Sequence, residues 1–143
     1  MKRRRATPKP HDLRAALRGL PAITADTTQS EFAAACAALS PFERGHVTLL
    51  RLATASPWEN HPGDELLYVA DGKIDVVLLR PARRVRTRVN AGSIFVVPRG
   101  VWHRQIPRPI ASVLSALPSA HGPISWNEDP RARRDSRRRP RAG

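Results

Sequence analysis

Cys36 is the only cysteine in the 143-residue chain, so no internal disulfide can brace the fold. It lies in the apolar run Phe32-Ala33-Ala34-Ala35-Cys36-Ala37-Ala38-Leu39, where a thiol packs as a small hydrophobe, and such usage fits a reducing cytoplasm. Long apolar stretches are missing as well. No run approaches the roughly 18 residues a membrane-crossing helix needs, and Lys2-Arg3-Arg4-Arg5 leads into Pro8-Lys9-Pro10 rather than a hydrophobic segment. No membrane partner is therefore expected. Acidic groups are scarce: 12 against 25 Lys and Arg, a net charge of +13.

That charge is unevenly placed. Residues 1–11 carry five basic groups and no acid, and residues 130–143 carry seven arginines against Asp135, which leaves only about +2 for the body between them. Both ends are basic, proline-containing and almost free of apolar side chains, so they are expected to be disordered tails. Neither interleaves aromatics with its arginines, which excludes base stacking and leaves weak, non-specific contact with nucleic acid or another polyanion.

Between the tails the pattern changes twice. Leu13, Ala16, Leu17 and Leu20 recur at helical spacing behind Asp12, and a second helix is expected from Thr28 or Ser30 through Leu39, ending before Pro41. Residues 12–42 thus read as a helical flank. From residue 43 to 129, short β-branched and aliphatic runs alternate with turn formers every eight to twelve positions, the pattern of an antiparallel sandwich or barrel. Strands are expected at 46–54, 58–61, 65–70, 73–80, 84–89, 93–97, 102–106 and 109–117, with Asp71-Gly72 as a type I′ hairpin turn. Asn90-Ala91-Gly92 and Pro98-Arg99-Gly100 are further turns. Arg83-Arg84-x-Arg86-x-Arg88 alternates with Val85, Thr87 and Val89, so one face of that strand is basic and meets solvent.

The residues that look like chemistry are Glu59, His61, Glu65 and His103. Glu59 and His61 lie two apart and share a face on an extended strand; Pro62-Gly63 breaks it, and Glu65 opens the next strand nearby. His103 follows the Pro98-Arg99-Gly100 turn. Two imidazoles and one or two carboxylates brought together by hairpins make a metal site. Read singly, each has a plainer role: His61 a turn residue, Glu65 an arginine partner, His103 a core histidine bonded to a carbonyl. Trp58, Trp102, Phe95 and Tyr68 read as core or pocket wall, Arg51, Arg99 and Arg104 as solvated or as grips for an acidic ligand, and His11, His46 and His121 as incidental.

The spacings His61-x3-Glu65-x6-Gly72 and Gly92-x5-Pro98-x-Gly100-x2-His103 resemble the two motifs of the cupins. The resemblance covers about residues 43–118 and implies a mainly β, jelly-roll barrel preceded by short helices. It further implies a divalent metal near one mouth, held by His61, Glu65, His103 and, where the family has its first histidine, Glu59. Pro107 stands where the second motif ends in asparagine. With two carboxylates in the set, manganese or iron is favoured, zinc or nickel remaining compatible. A small ligand in the barrel, an acidic one among the options, is the expected partner. If the protein is an enzyme, the resemblance implies a metal-dependent isomerase, decarboxylase or dioxygenase; the other reading is a non-catalytic binding or sensing module tethered by its tails. Cupins commonly dimerise, and Val77, Leu79 and Val113 are candidate outer-face residues for a homodimer.

Overall fold

The computed structural model describes residues 7–132. In chain order the elements are α1 (Leu13–Arg18), β1 (Ala22–Ile23), α2 (Gln29–Ala35), β2 (Ala37–Phe42), β3 (Gly45–Leu52), β4 (Trp58–Glu59), β5 (Glu65–Leu79), β6 (Arg84–Asn90), β7 (Ile94–Val97), β8 (His103–Leu117) and β9 (Ile124–Ser125). The expected tails lie in part outside the described residues, and residues 7–11 and 130–132 fall among them. Of them, residues 7–11 carry no regular structure, while Arg131 is held by Asp129 through Nη2–Oδ2 at 2.9 Å.

Two fifteen-residue strands, β5 and β8, pair antiparallel over most of their length and form the spine of a curled sheet. The first half of β5 also pairs with β7, from Glu65↔Val97 to Tyr68↔Ile94, and its second half with β6, from Lys73↔Asn90 to Leu79↔Arg84. The later half of β8 pairs with β3, which in turn takes β2 antiparallel and β1 parallel. A jelly-roll barrel of mainly β class results, as expected.

Three expectations need correction. Asp71-Gly72 is no hairpin turn: β5 continues through it as one bent strand, with register shifts at Val69/Asp71 and Gly72/Ile74. Gly72 has φ +73°, and a Cβ there would overlap the carbonyl oxygen of Ile110. A bulged bend and a type I′ turn both require positive φ, so the dipeptide alone cannot distinguish them. Likewise the strands expected at 102–106 and 109–117 are one strand, β8, which spans Pro107 and Pro109. Finally, α2 stops at Ala35 rather than Leu39. From Ala37 the chain pairs with β3 (Ala37↔Leu49, Ala38↔Thr48), and that cross-strand burial outweighs the helix preference of an alanine-rich run. The flank therefore contains two strands as well as two helices.

The helix starts follow their local signals. The Asp12 carboxylate accepts from Ala15 N at 3.1 Å, and Thr28 with Glu31 forms a reciprocal capping box.

Alternation along β5 divides the interior from the outer face. Ile74, Val76 and Leu78 join Leu67, Val69, Val97 and Val113 in the main core. Val77 and Leu79 point the other way, into a second cluster with Trp58, Trp102 and Ile106. Val113 is thus an inner residue and Val77 and Leu79 are covered, so none of the three offers a free apolar face. On the outer side Asp75, only 2% exposed, collects three arginines. Arg88 Nε bonds its Oδ1, Arg108 reaches Oδ2 at 2.7 and 3.0 Å, and Arg86 Nε lies 3.7 Å away. The basic face of β6 is exposed as expected, yet two of its three arginines, Arg86 and Arg88, sit beside this one carboxylate.

Two predictions follow from this arrangement. The Arg88 and Arg108 bonds outweigh burial and hold the Asp75 carboxyl at about 2, below the ordinary 3.8. A depressed carboxylate stabilises the fold above its unfolded pKa and loses that contribution as pH falls through the folded value. Asp75→Asn therefore lowers stability by about 1–2 kcal/mol at pH 7, and the gap to wild type closes between pH 4 and pH 2 in denaturant titrations. Gly72→Ala costs about 2 kcal/mol or more, because it adds strain at positive φ to a steric overlap; an unchanged denaturation midpoint would refute the bend.

Candidate metal centre

The two motif turns clasp one another. Gly100 N donates to the carbonyl of His61 at 2.9 Å, and Arg99 N donates to Asp64 Oδ1 at 2.8 Å. The Pro98–Gly100 turn, with Gly100 at φ +72°, is thereby locked to the segment that carries His61 and Glu65. Glu59 on β4 is registered directly opposite His103 on β8, which puts their side chains on one face. Glu65 opens β5 and is fixed by Ser115 of β8, whose hydroxyl donates to Oε2 at 2.7 Å.

All four expected residues come together. Their donor atoms lie within 4.8 Å of one another, and His61, Glu65 and His103 are 2%, 3% and 1% exposed. His103 Nε2 stands 3.2 Å from Glu65 Oε1 and 3.8 Å from Glu59 Oε2; His61 Nε2 stands 3.4 Å from Glu59 Oε2 and 3.7 Å from Glu65 Oε2. Donors bound to one ion at about 2.1 Å are separated by about 3 to 4.2 Å, so small side-chain adjustments fit this set to a single ion.

The hydrogen bonds of the two rings differ. His103 Nδ1 faces the carbonyl of Val101 at 3.0 Å and must carry a proton to bond it. In the neutral ring Nε2 is then a bare lone pair aimed at a carboxylate, an arrangement that needs either a second proton or a cation. His61 Nδ1 instead receives Gly122 N–H at 3.4 Å, and its buried Nε2 has no hydrogen-bond partner among the described residues. Two imidazole nitrogens and two carboxylates thus converge with their bonding capacity unfilled. The donor set suits an ion that accepts both nitrogen and oxygen.

A cavity of about 270 Å³ opens above the group, bounded by α2 through Phe32 and Cys36, by β3, and by Glu59, Glu65 and Gln105. Burial, with a smaller contribution from the charge of Glu59, pushes the Cys36 thiol up to about 11, so it stays protonated and inert at neutral pH. His46 and His121 also line this space, and the His121 ring lies 5.3 Å from that of His61; neither is incidental. His11 lies apart from it, beside β2. The three arginines considered as ligand grips are all engaged elsewhere. Arg51 donates to the carbonyls of Leu17 and Leu20, Arg104 donates to that of Ser56 while stacking 5.2 Å over Trp58, and Arg99 pairs with Asp64. The sequence reading missed Gln105 and Ser115. Both share the parity of His103 along β8, and counting in twos from that histidine would have placed them inside.

Burial alone would lower the His103 pKa, but the hydrogen bond and charge of Glu65, with Val101 and Glu59, reverse this and raise it above the ordinary 6.5. Glu65 is lowered below 4.5 against its own burial, chiefly by His103. A raised histidine stabilises fully below its unfolded pKa and loses that contribution as pH climbs through the folded one. The metal-free protein is therefore expected to lose thermal stability as pH rises beyond 6.5, and Glu65→Gln to remove that slope. A Tm of the metal-free wild type that does not fall above pH 6.5 would refute the pair.

Residues 45–106 match the cupin domain family. A putative germin-like protein 3-2 of Oryza sativa subsp. japonica is 42% identical over 52 residues, which is 35% of this chain and 23% of that relative's length. Among solved structures, a protein of Neisseria meningitidis superposes with a TM-score of 0.58 at 21% identity over 76% of this chain and 99% of its own. A cupin superfamily protein of Desulfitobacterium hafniense gives a TM-score of 0.50 at 17% identity, over 56% of this chain and 72% of its own. Over residues 45–106 the sequence match and the curled antiparallel sheet agree on a cupin domain, and the two solved structures share that fold.

Proposed function

We propose that Glu59, His61, Glu65 and His103 bind one divalent metal ion and that the cavity above them presents a small molecule to it. The observation that carries this reading is the pair of buried Nε2 atoms. That of His61 has no partner, and that of His103 points a lone pair at Glu65 because Nδ1 is committed to Val101. One cation satisfies both carboxylates and both nitrogens, that of His61 once its ring proton sits on Nδ1. Two oxygen donors beside two imidazoles favour manganese or iron over zinc.

When bound, such an ion polarises a carbonyl or enolate oxygen or binds dioxygen, which suits an isomerase, decarboxylase or dioxygenase. The protein's own residues supply the rest. Ser115 orients Glu65, Val101 orients His103, and Phe32 of α2 forms part of the cavity wall. Glu59, whose side chain is 16% exposed, is the most accessible of the four. It completes the ion's set or, held off the ion, serves as a base toward the ligand.

A second reading is a non-catalytic binding or sensing module attached to a polyanion. The row of Arg84, Arg86 and Arg88 on the outer face of β6, together with the basic ends of the sequence, favours it.

Elemental analysis of protein made without an affinity tag tests the first reading. About one equivalent of manganese or iron is expected per chain. His103→Ala should weaken binding by more than the roughly 10–100-fold that loss of an outer-shell partner costs. A wild-type protein that stays empty after loading with manganese, iron, nickel and zinc would end the proposal. Turnover by the loaded protein separates enzyme from sensor.

A further inference from the structure

We propose a second ligand site, separate from the metal cavity: a groove between the β1–α2 loop, the β3–β4 loop and the end of β9 that takes a small aromatic monocarboxylate, with Arg104 holding the carboxylate and Trp126 covering the ring. This site does not depend on the metal reading.

The groove encloses about 430 Å³, within the usual range for small-molecule sites. Ile23, Phe32, Pro57, Ile124 and Trp126 make its walls largely apolar, and Phe32 alone among the described lining residues is shared with the metal cavity. Trp126 is nonetheless 63% exposed and Ile124 48%. Large apolar side chains left in water beside a concave space are the surface a bound apolar body covers. An open indole adds a face for offset stacking, which favours a flat ring over an aliphatic chain.

One residue sets the charge of the occupant. Arg104 is the only ionisable side chain among the described lining residues; no Asp, Glu or His shares the space, and Asp26, on the same loop as Thr24 and Thr27, does not line it. Burial, and after it the like charge of Arg84, lower the Arg104 pKa below the ordinary 12.5, and no acid among the described residues offsets them. A guanidinium carries five N–H groups. Nε and Nη2 each give one to the Ser56 carbonyl, at 3.1 and 2.9 Å, and the plane is held 5.2 Å over Trp58. Both N–H groups of Nη1 and the second of Nη2 are left without a protein acceptor among the described residues. Nη1 is not enclosed, in contrast to the unpartnered Nε1 of Trp58. The end of the fork is therefore the open edge, the one that takes a carboxylate through two parallel bonds. Three threonine hydroxyls on the wall are already committed, Thr24 accepting from Asp26 N, Thr27 from Thr24 N and Thr28 from Glu31 N, so Arg104 is the polar group that chooses the ligand. One guanidinium balances one negative charge, and a phosphate dianion would bring a charge in excess.

Isothermal calorimetry on the full chain, metal-free and zinc-loaded, tests the site with 2-naphthoate, the neutral 2-naphthamide and 2-naphthyl phosphate at physiological salt. The naphthoate is expected to bind about tenfold more tightly than either of the others, in both metal states. Arg104→Gln should bring naphthoate down to the affinity of the amide and leave the amide where it was, whereas Trp126→Ala should weaken both by a similar factor. Phosphate binding tightest would assign the attraction to the basic outer face and tails, and naphthoate binding only with zinc would assign it to the metal cavity. Either result overturns the inference, as does an absence of binding at millimolar concentration or an unchanged affinity in Trp126→Ala. If Arg104→Gln fails to fold, the wild-type comparison and the exposed Trp126→Ala position decide. A protein that takes up no metal and still prefers the naphthoate ends the metal reading and keeps this one.

Discussion

The site depends on a bend in a paired strand. Glu65 begins β5 and His103 begins β8, but the two strands are antiparallel, and His103 is registered opposite Leu78 near the far end of β5. Thirteen residues of straight strand separate Glu65 from Leu78, about 44 Å at the usual rise. The side-chain atoms of Glu65 and His103 are nonetheless 3.2 Å apart. Only a ladder folded back on itself closes that gap, and the fold lies where the β5–β8 register slips on either side of Asp71-Gly72. Gly72 adopts φ +73° and lets the Ile110 carbonyl approach to where a side chain would stand. The curvature of the barrel and the convergence of the four donors are therefore one geometric fact.

The bend brings the donors together; hydrogen bonds to the main chain orient them. Because the Val101 carbonyl commits His103 Nδ1 as a donor, the lone pair of Nε2 is fixed toward the carboxylates. Without a cation the conflict is relieved by a proton, which is the physical content of the raised His103 and lowered Glu65 pKa values. Proton and metal ion thus compete for one nitrogen. At His61 the ring faces an N–H of Gly122 instead, so binding at Nε2 requires its proton to move to Nδ1 and that 3.4 Å contact to lengthen. Loading the proposed centre would be coupled to the loop that carries Gly122 and His121 as well as to solution pH.

Much of this was legible because turn chemistry and ligand spacing are local. Positive φ at Gly92 and Gly100 and the Asp12 and Thr28 caps follow from residue type and neighbours within three positions. Asp71-Gly72 misled because its signal reports a backbone conformation, not the partner strand that decides between turn and bulge. The end of α2 was hidden for a similar reason: Ala37 and Ala38 carry a helical preference that pairing with β3 overrides. Asp75 drew no attention as a lone acid in a hydrophobic run. Its meaning appears only when β6 and β8 bring Arg88 and Arg108 to it from both sides. Gln105 was accessible in principle, since strand parity links it to His103.

The same parity sorts charge across the sheet. Arg84, Arg86 and Arg88 lie outward on β6, Arg104 and Arg108 engage Ser56 and Asp75, and Glu59 and Glu65 face the cavity. A period of two cannot place a residue on both faces, so a strand that tiles its exterior with arginine has none to offer its interior. For a chain this basic the consequence runs against its net charge of +13. Its interior is acidic, suited to a cation, and once that cation is bound it is close to neutral. Bulk charge thus describes what the outer surface and the tails meet. The cavity is lined instead by inward side chains whose charged members have the opposite sign.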